Sequence, residues 1–208
     1  MSATPPDRPT RARGYHHGDL RASLIDIAVE LISQRGVRNF SVAEASRRLG
    51  VTVAAPYRHF ADRDELLAAV AVRALERFGM VLTAAMTDAG PPADRLAAMA
   101  GGYVRFAAGQ RPLFEAAFAS GIDKSRHPEV RRAEEPVEAA FMACVREVCD
   151  GDEAAAEGLG DAVQATAHGC ATLLLDGGFG AGDESVGAAV ALAERATAAL
   201  IAGHRKLG

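Results

Sequence analysis

Apolar residues recur along the chain at the spacing of helix faces. From Asp19, the positions Leu20, Leu24, Ile27 and Leu31 follow the i, i+4, i+7, i+11 order that places side chains on one side of a helix. Alternation of apolar and polar residues over four or more positions, which is typical of a half-buried strand, is rare. The pattern therefore predicts an all-α protein.

Local start and stop signals divide the N-terminal part of the chain into four helices. Gly36 is a stop signal after the first helix, and Ser41 with Glu44 has the spacing of a capping box. Gly50 can adopt the positive φ of a tight turn, and Thr52 can cap the helix that follows. The predicted helices cover residues 19–35, 42–49, 53–59 and about 63–86.

A break rich in proline and glycine at residues 88–92 separates these helices from the rest of the chain. Further helices are predicted at about 92–109, 112–119, 128–149, 153–176 and 184–204. We expect three regions, with the helix at about 63–86 as the connector between the second and the third. They are a flexible N-terminal arm at residues 1–17, a three-helix helix-turn-helix domain at 18–66 and a C-terminal helical domain at 67–208.

The composition favours a globular protein of the cytoplasm. Hydrophobic residues make up 49% of the 208 residues, which is too many for a disordered chain. There is no run of 18 apolar residues and no apolar N-terminal leader, so neither a membrane span nor secretion is predicted. Cys144, Cys149 and Cys170 lack the CxxC spacing and indicate neither a disulfide framework nor a zinc site. No metal and no cofactor is predicted.

Charge is divided unevenly between the two ends of the chain. Residues 1–80 carry 12 Arg and 9 acidic residues, a net charge of +3, whereas residues 81–208 carry 11 basic and 18 acidic residues, a net charge of -7. A basic N-terminal part followed by an acidic remainder permits binding to nucleic acid, although a charge difference of this size also arises without a function.

The segment from Ser41 to His59 has the order of a helix-turn-helix unit, whose second helix lies in the DNA major groove. Residues 19–70 closely resemble the N-terminal DNA-binding domain of TetR-type transcriptional repressors. The resemblance rests on Ala28, Leu31, Gly36, Phe40-Ser41-Val42, Ala45, Leu49-Gly50-Val51, Tyr57-Arg58-His59-Phe60, Asp64-Glu65-Leu66-Leu67 and Val70. Residues 15–20 and 54–60 also resemble a subgroup whose C-terminal domain carries a Trp-His-Gly element. That element corresponds to Ala167-His168-Gly169 here, without the Trp.

Nine residues of the second and third predicted helices are candidates for DNA binding. Thr52 can offer its hydroxyl to a phosphate or its methyl group to a thymine, and the three small residues after it can read methyl groups and groove shape. The resemblance implies that Tyr57 and His59 touch the DNA backbone, whereas Arg58 suits a phosphate or a guanine. The two arginines of the second helix are candidate phosphate anchors, or simply a solvated helix face. The full set is Arg47, Arg48, Thr52, Val53, Ala54, Ala55, Tyr57, Arg58 and His59.

The resemblance implies that the C-terminal domain binds a small molecule and dimerises through its last two long helices. Both of these helices are apolar almost all round and rich in small residues, which permits close helix packing in a dimer or in an intramolecular core. Candidate interface residues are Leu159, Val163, Thr166, Cys170, Leu173, Val190, Thr197, Leu200 and Ile201. Candidate pocket residues, each of which could equally be core, are Met99, Tyr103, Phe106, Phe114, Phe118, Phe141, Met142 and His168.

The sequence therefore predicts a homodimeric DNA-binding regulator, a repressor that leaves a palindromic operator when a small-molecule effector binds. Its predicted partners are double-stranded DNA, a second copy of the chain and the effector, with no membrane partner. The alternative is a regulator without small-molecule input, controlled by a protein or acting as an activator. A third class, an enzyme or carrier, lacks the GxSxG, HExxH, P-loop and dinucleotide-binding motifs, so no enzymatic activity is expected.

Overall fold

A computed structural model describes residues 19–87, 89–180 and 182–207, without the side chains of residue 183 and of residues 205–207. The predicted arm at residues 1–17 lies outside the described residues. Within them the chain forms eight α-helices and no strand, which confirms the all-α prediction.

The N-terminal helices begin where their polar caps predict. They are α1 (Leu20–Arg35), α2 (Val42–Leu49) and α3 (Arg63–Thr87). The carboxylate of Asp19 and the hydroxyl of Ser41 each accept the backbone N–H three residues later, at 3.0 and 3.2 Å. Each cap satisfies one of the N–H groups that have no partner inside a helix.

The predicted third helix is wrong in type and in length. Instead of an α-helix over residues 53–59, the chain makes one 3-10 turn at Pro56–Arg58. The Thr52 carbonyl accepts the N–H of Ala55 at 3.0 Å, three residues away, and Pro56 has no N–H to offer the same carbonyl. Proline therefore removes the bond that would have continued an α-helix.

The C-terminal helices agree with their predicted ranges to within a few residues. One predicted helix, over residues 112–119, is divided into a short α-helix followed by a π-helical turn at Glu115–Ala119. The helices are α4 (Pro92–Gly109), α5 (Arg111–Phe114), α6 (Pro128–Val148), α7 (Glu153–Leu175) and α8 (Asp183–Leu207).

Helix α4 lies at the centre of the C-terminal part and packs against α3, α6, α7 and α8. Glycines permit the closest approaches. A Cβ atom at Gly101 would collide with the Glu194 carboxylate of α8, and one at Gly102 would lie 3.2 Å from the Ala85 side chain of α3. The N-terminal and C-terminal helices share one hydrophobic core, which runs along α3.

One polar group in this core has no partner. Thr197 of α8 is 0% exposed, and its hydroxyl makes no hydrogen bond within the described residues. Replacing Thr197 with valine keeps the shape of the side chain and removes the buried hydroxyl. We expect Thr197→Val to raise the free energy of unfolding by about 1 kcal/mol, measured by urea denaturation.

Thr166→Val is the matched control for this prediction, because its hydroxyl donates a hydrogen bond to the Ala162 carbonyl at 2.7 Å. That substitution loses a hydrogen bond and should give no gain in stability. A loss of stability in Thr197→Val would show that its hydroxyl is hydrogen-bonded in solution.

Candidate functional site

A tight reversal after α2 positions the candidate DNA-binding residues. Gly50 has φ 67° and ψ 25°, the left-handed conformation that glycine adopts without strain. The Val51 N–H donates to the Ser46 carbonyl at 3.1 Å, which closes the end of the helix. Residues 52–59 then cross the surface as an exposed segment, which we call the recognition turn.

The recognition turn is held by the buried side chain of Pro56 and by the buried Phe60 that follows it, and most of its other side chains are exposed. Pro56 and Phe60 are buried, and the guanidinium of Arg21 lies 5.3 Å from the centre of the Phe60 ring. Val53 and Tyr57 are large apolar side chains that remain 54% and 52% exposed. The residues that are exposed together are Thr52, Val53, Ala54, Tyr57, Arg58 and His59, whereas Ala55 is half-buried.

The two arginines of α2 have different surroundings. The Arg48 guanidinium hydrogen-bonds to Gln34 and lies 3.8 Å from carboxylate oxygens of both Glu30 and Glu44. The contacts with Glu30 and Gln34 hold α2 against α1, and the two carboxylates compensate the charge of Arg48. Arg47 is exposed and makes no ion pair within the described residues. Arg47 is therefore the better placed of the two to contact a phosphate.

Arg63, which was not predicted as a site residue, braces the unit at the start of α3. Its Nε donates to the Phe40 carbonyl at 3.2 Å, a second nitrogen donates to the Val37 carbonyl, and its guanidinium lies 4.5 Å from the centre of the Phe40 ring. These partners are 23 and 26 residues away in sequence, so no local pattern indicates them. Arg63 ties the connecting helix to the α1–α2 loop.

A cavity of about 250 Å³ lies between α3, α4, α6 and α7. Four of the predicted pocket residues line it: Met99, Tyr103, Phe118 and Phe141. Phe106 and Phe114 are buried in the aromatic cluster around it, with ring centres 5.2 Å from Phe78 and 5.9 Å from Tyr103. Met142 does not line the cavity and packs instead against Gly160 of α7.

His168 lies outside this cavity but is connected to it through Tyr103. The Tyr103 hydroxyl and the Nδ1 atom of His168 are 2.9 Å apart. Burial raises the pKa of the Tyr103 phenol well above its ordinary value, so the hydroxyl keeps its proton and can donate it to His168. A second cavity of about 350 Å³ is lined by both residues and by Lys124. Tyr103 and His168, the two polar residues among the predicted pocket residues, are therefore hydrogen-bonded to each other.

The structure places most of the predicted interface residues inside the chain. Leu173 is 55% exposed, and Thr166 and Leu200 are half-buried. The others pack in the hydrophobic core of a single chain, so we correct that part of the prediction. The buried residues are Leu159, Val163, Cys170, Val190, Thr197 and Ile201.

Helices α7 and α8 instead expose many small and apolar residues, with the charged Asp161 and Arg195 among them. Glu184–His204 is long and apolar enough to cross a membrane by length and composition alone, yet only 28% of its most apolar window is buried in the chain. Such a helix is also typical of a surface that another protein covers. We call the exposed small and apolar positions the α7–α8 face: Gly158, Ala165, Leu173, Ala188, Leu192, Ala199 and Ala202.

The three cysteines are buried and make no disulfide. Burial raises the pKa of the Cys144, Cys149 and Cys170 thiols, so they remain protonated at neutral pH and are poor nucleophiles and ligands. No group of three His, Cys, Asp or Glu side chains in the described part of the chain could hold a metal ion.

Two family models match the chain and together cover both parts of the fold. Residues 24–70 match the model described as bacterial regulatory proteins, tetR family. Residues 96–200, just over half of the chain, match the model described as tetracyclin repressor-like, C-terminal domain.

Individual proteins are also similar to this chain. The chain is 36% identical over 90 residues to the HTH-type transcriptional regulator BetI of Brucella canis, which is 43% of this chain and 44% of that regulator. The chain thus spans less than half the length of the curated relatives it matches. A solved protein of unknown function from Rhodococcus sp. RHA1 is 33% identical, with a TM-score of 0.66 over 88% of this chain and 98% of that one. A tetR-family regulator from Streptomyces coelicolor shares the fold at 23% identity, with a TM-score of 0.68 over 90% of this chain and 82% of that one.

Proposed function

Because the chain belongs to the TetR family of bacterial transcriptional regulators, we propose that it is a homodimeric repressor of the cytoplasm. It binds a palindromic operator in double-stranded DNA and leaves the operator when a small molecule occupies the C-terminal cavity. A member of this family acts by binding DNA and not by catalysis, so the relevant side chains are those that can contact DNA.

The observation that carries this proposal is the recognition turn. A folded chain exposes two large apolar side chains, Val53 and Tyr57, next to Arg58 and His59, on a segment whose other side is fixed by buried residues. Apolar side chains suit the methyl groups of the major groove, and arginine suits phosphates or guanine. Arg47, exposed in the last turn of α2, is a further cation that can contact the DNA backbone.

The α7–α8 face supports the dimer. Small residues at exposed positions of two long helices allow the corresponding helices of a second copy to approach closely. Burying Leu173 and Leu192 in such a contact removes apolar surface from water. In the dimer, the two recognition turns must meet successive major grooves, about 34 Å apart on B-DNA.

Contacts between the two parts of the chain give the effector a route to the DNA-binding unit. His168 lines both the second cavity, of about 350 Å³, and a cleft of about 400 Å³ beside the α1–α2 loop. That cleft is bounded by Val37 and Arg38 of the loop and by Phe114, whose ring stacks on His168 at 5.8 Å. A ligand that separates Tyr103 from His168 would move this contact and favour a dimer whose turns no longer fit the operator.

Selection of genomic DNA fragments by the purified protein tests the proposal. We expect an inverted repeat to be enriched, with an affinity that falls steeply as salt rises, because cationic side chains release counterions from the phosphates. Protein refolded after denaturation, which strips any bound effector, should select the same repeat. A folded protein that enriches no sequence in either form would overturn the proposal, and a single unrepeated site would overturn the dimer.

A further inference from the structure

The cavity between α3, α4, α6 and α7 is lined by acidic but not by basic side chains. Its ionisable lining residues are Glu134, Glu138 and Tyr103, and no Arg, Lys or His of the described residues lines it. The remainder is aromatic and aliphatic, with the amide of Gln164. We propose that its effector is a small cationic amphiphile, an amine or other organic cation on an apolar or aromatic body. This inference rests on the proposed function, because it names the ligand class of the effector site.

Four aromatic side chains line the space in which the cation would lie: Phe78, Tyr103, Phe118 and Phe141. The Tyr103 and Phe118 rings have centres 5.5 Å apart, and both pack within 5.3 Å of the Phe78 ring. Phe141 lines the cavity from α6. Aromatic faces attract a desolvated cation through the ring quadrupole, whereas they repel an anion. The apolar body of the ligand can be buried against the same rings.

Two carboxylates on α6 differ in how well their charge is compensated. Glu134 is paired with Lys124, whose ammonium lies 2.6 and 2.7 Å from its two carboxylate oxygens. Glu138, one helical turn further along α6, makes no ion pair within the described residues. The cavity therefore keeps a net negative charge, with Glu138 as its uncompensated group. A ligand carboxylate would be repelled there, whereas an ammonium would be attracted.

The size of the cavity limits the ligand. A volume of about 250 Å³ is slightly below the range of about 300–1,000 Å³ that is usual for drug-sized ligands. A single aromatic ring with a short alkylammonium chain is a suitable probe. We choose 4-phenylbutylamine, with 4-phenylbutanol and 4-phenylbutyrate as neutral and anionic molecules of the same shape. The amine is charged at pH 7, like the side chain of lysine.

Calorimetric titration of the full-length protein with the three probes, without DNA, tests the proposal. We expect the amine to bind about tenfold more tightly than the alcohol, because cation–π attraction and Glu138 act on the charged head alone. The acid should bind more weakly than the alcohol. The preference for the amine should decrease as salt rises, since Glu138 is exposed.

Substitutions on α6 test whether the preference for the amine over the alcohol arises in the cavity. Glu138→Gln should reduce the amine-to-alcohol preference by about threefold, the size expected for an ion pair with an exposed carboxylate. Glu134→Gln should improve binding of the acid, because it frees the charge of Lys124, which lines the second cavity and is not far from a ligand beside Glu134. Glu135→Gln is the matched control: Glu135 is exposed on the same helix and does not line the cavity, so its preference should equal that of the unmodified protein.

The outcomes separate this inference from the proposed function. Equal affinity for the three probes, or tighter binding of the acid, overturns the cationic class while the cavity remains the effector site. No detectable binding of any probe overturns both the ligand class and the effector role of the cavity. Operator binding, measured separately, tests the DNA-binding function whatever the calorimetric result.

Discussion

Replacing Arg58 with alanine is expected to lower operator affinity by about 100-fold, because each arginine contact to DNA contributes about 1–3 kcal/mol and a dimer loses two. Arg58 is exposed and makes no ion pair within the described residues, so the fold loses nothing. The midpoint of thermal unfolding should therefore stay within about 1 °C of that of the unmodified protein, as expected for a surface substitution.

A salt series distinguishes the two contacts that Arg58 can make. If it neutralises a phosphate, the slope of log affinity against log salt should fall by about two per dimer. If it reads a guanine, the slope should change less, and the sequence preference should relax at one position in each half-site. Arg77→Ala is the control, since Arg77 is exposed on α3 about 21 Å along the helix from its start. Unchanged affinity in Arg58→Ala would remove Arg58 from the interface.

Replacing Leu173 with glutamate is expected to split the dimer. Leu173 is 55% exposed in the single chain, so the substitution leaves the core intact but puts a charge into the proposed contact between two copies. Sedimentation should change from a dimer to a monomer of 21.7 kDa. Operator affinity should fall by about 100-fold or more, because the second half-site is no longer bound by a linked subunit.

Matched variants show whether the effect belongs to the α7–α8 face. Ala199→Glu on α8 should give the same result, since Ala199 is exposed on that face. Thr197→Arg, two residues away, should unfold the chain, because Thr197 is fully buried and a charge there has no partner. A Leu173→Glu protein that sediments as a dimer and binds the operator normally would exclude this face as the interface.

The helical fold could be read from local patterns because its signals act over three or four residues. Asp19 and Ser41 cap their helices with their own side chains, and Gly50 ends α2 in the left-handed conformation that other residues avoid. The recognition turn was predicted at the right place but not in the right conformation. Pro56 lies four residues after Thr52, where its missing N–H prevents an α-helical bond, so the sequence already held that signal.

The candidate site could be predicted only in part because burial and pairing depend on distant residues. Six of the nine predicted interface residues are buried in the core of the single chain. On a helix that is apolar on all sides, the sequence does not show which residues face the core and which face solvent. Arg47 and Arg48 are neighbours of the same type, yet carboxylates of α1 and α2 compensate only Arg48. Arg63 donates hydrogen bonds to backbone carbonyls that are more than 20 residues away in sequence.

The sequence by itself determined the all-α fold, the ends of most helices and the position of the DNA-binding unit, because caps, glycines and apolar periodicity act locally along the chain. Only the tertiary structure decided which face of α7 and α8 remains exposed, which aromatic residues enclose the cavity, and that Tyr103 and His168 are hydrogen-bonded. The reason is physical: these properties arise from packing between helices that are far apart in sequence. The type of a residue restricts which neighbours it can have, but it does not determine which residues those neighbours are.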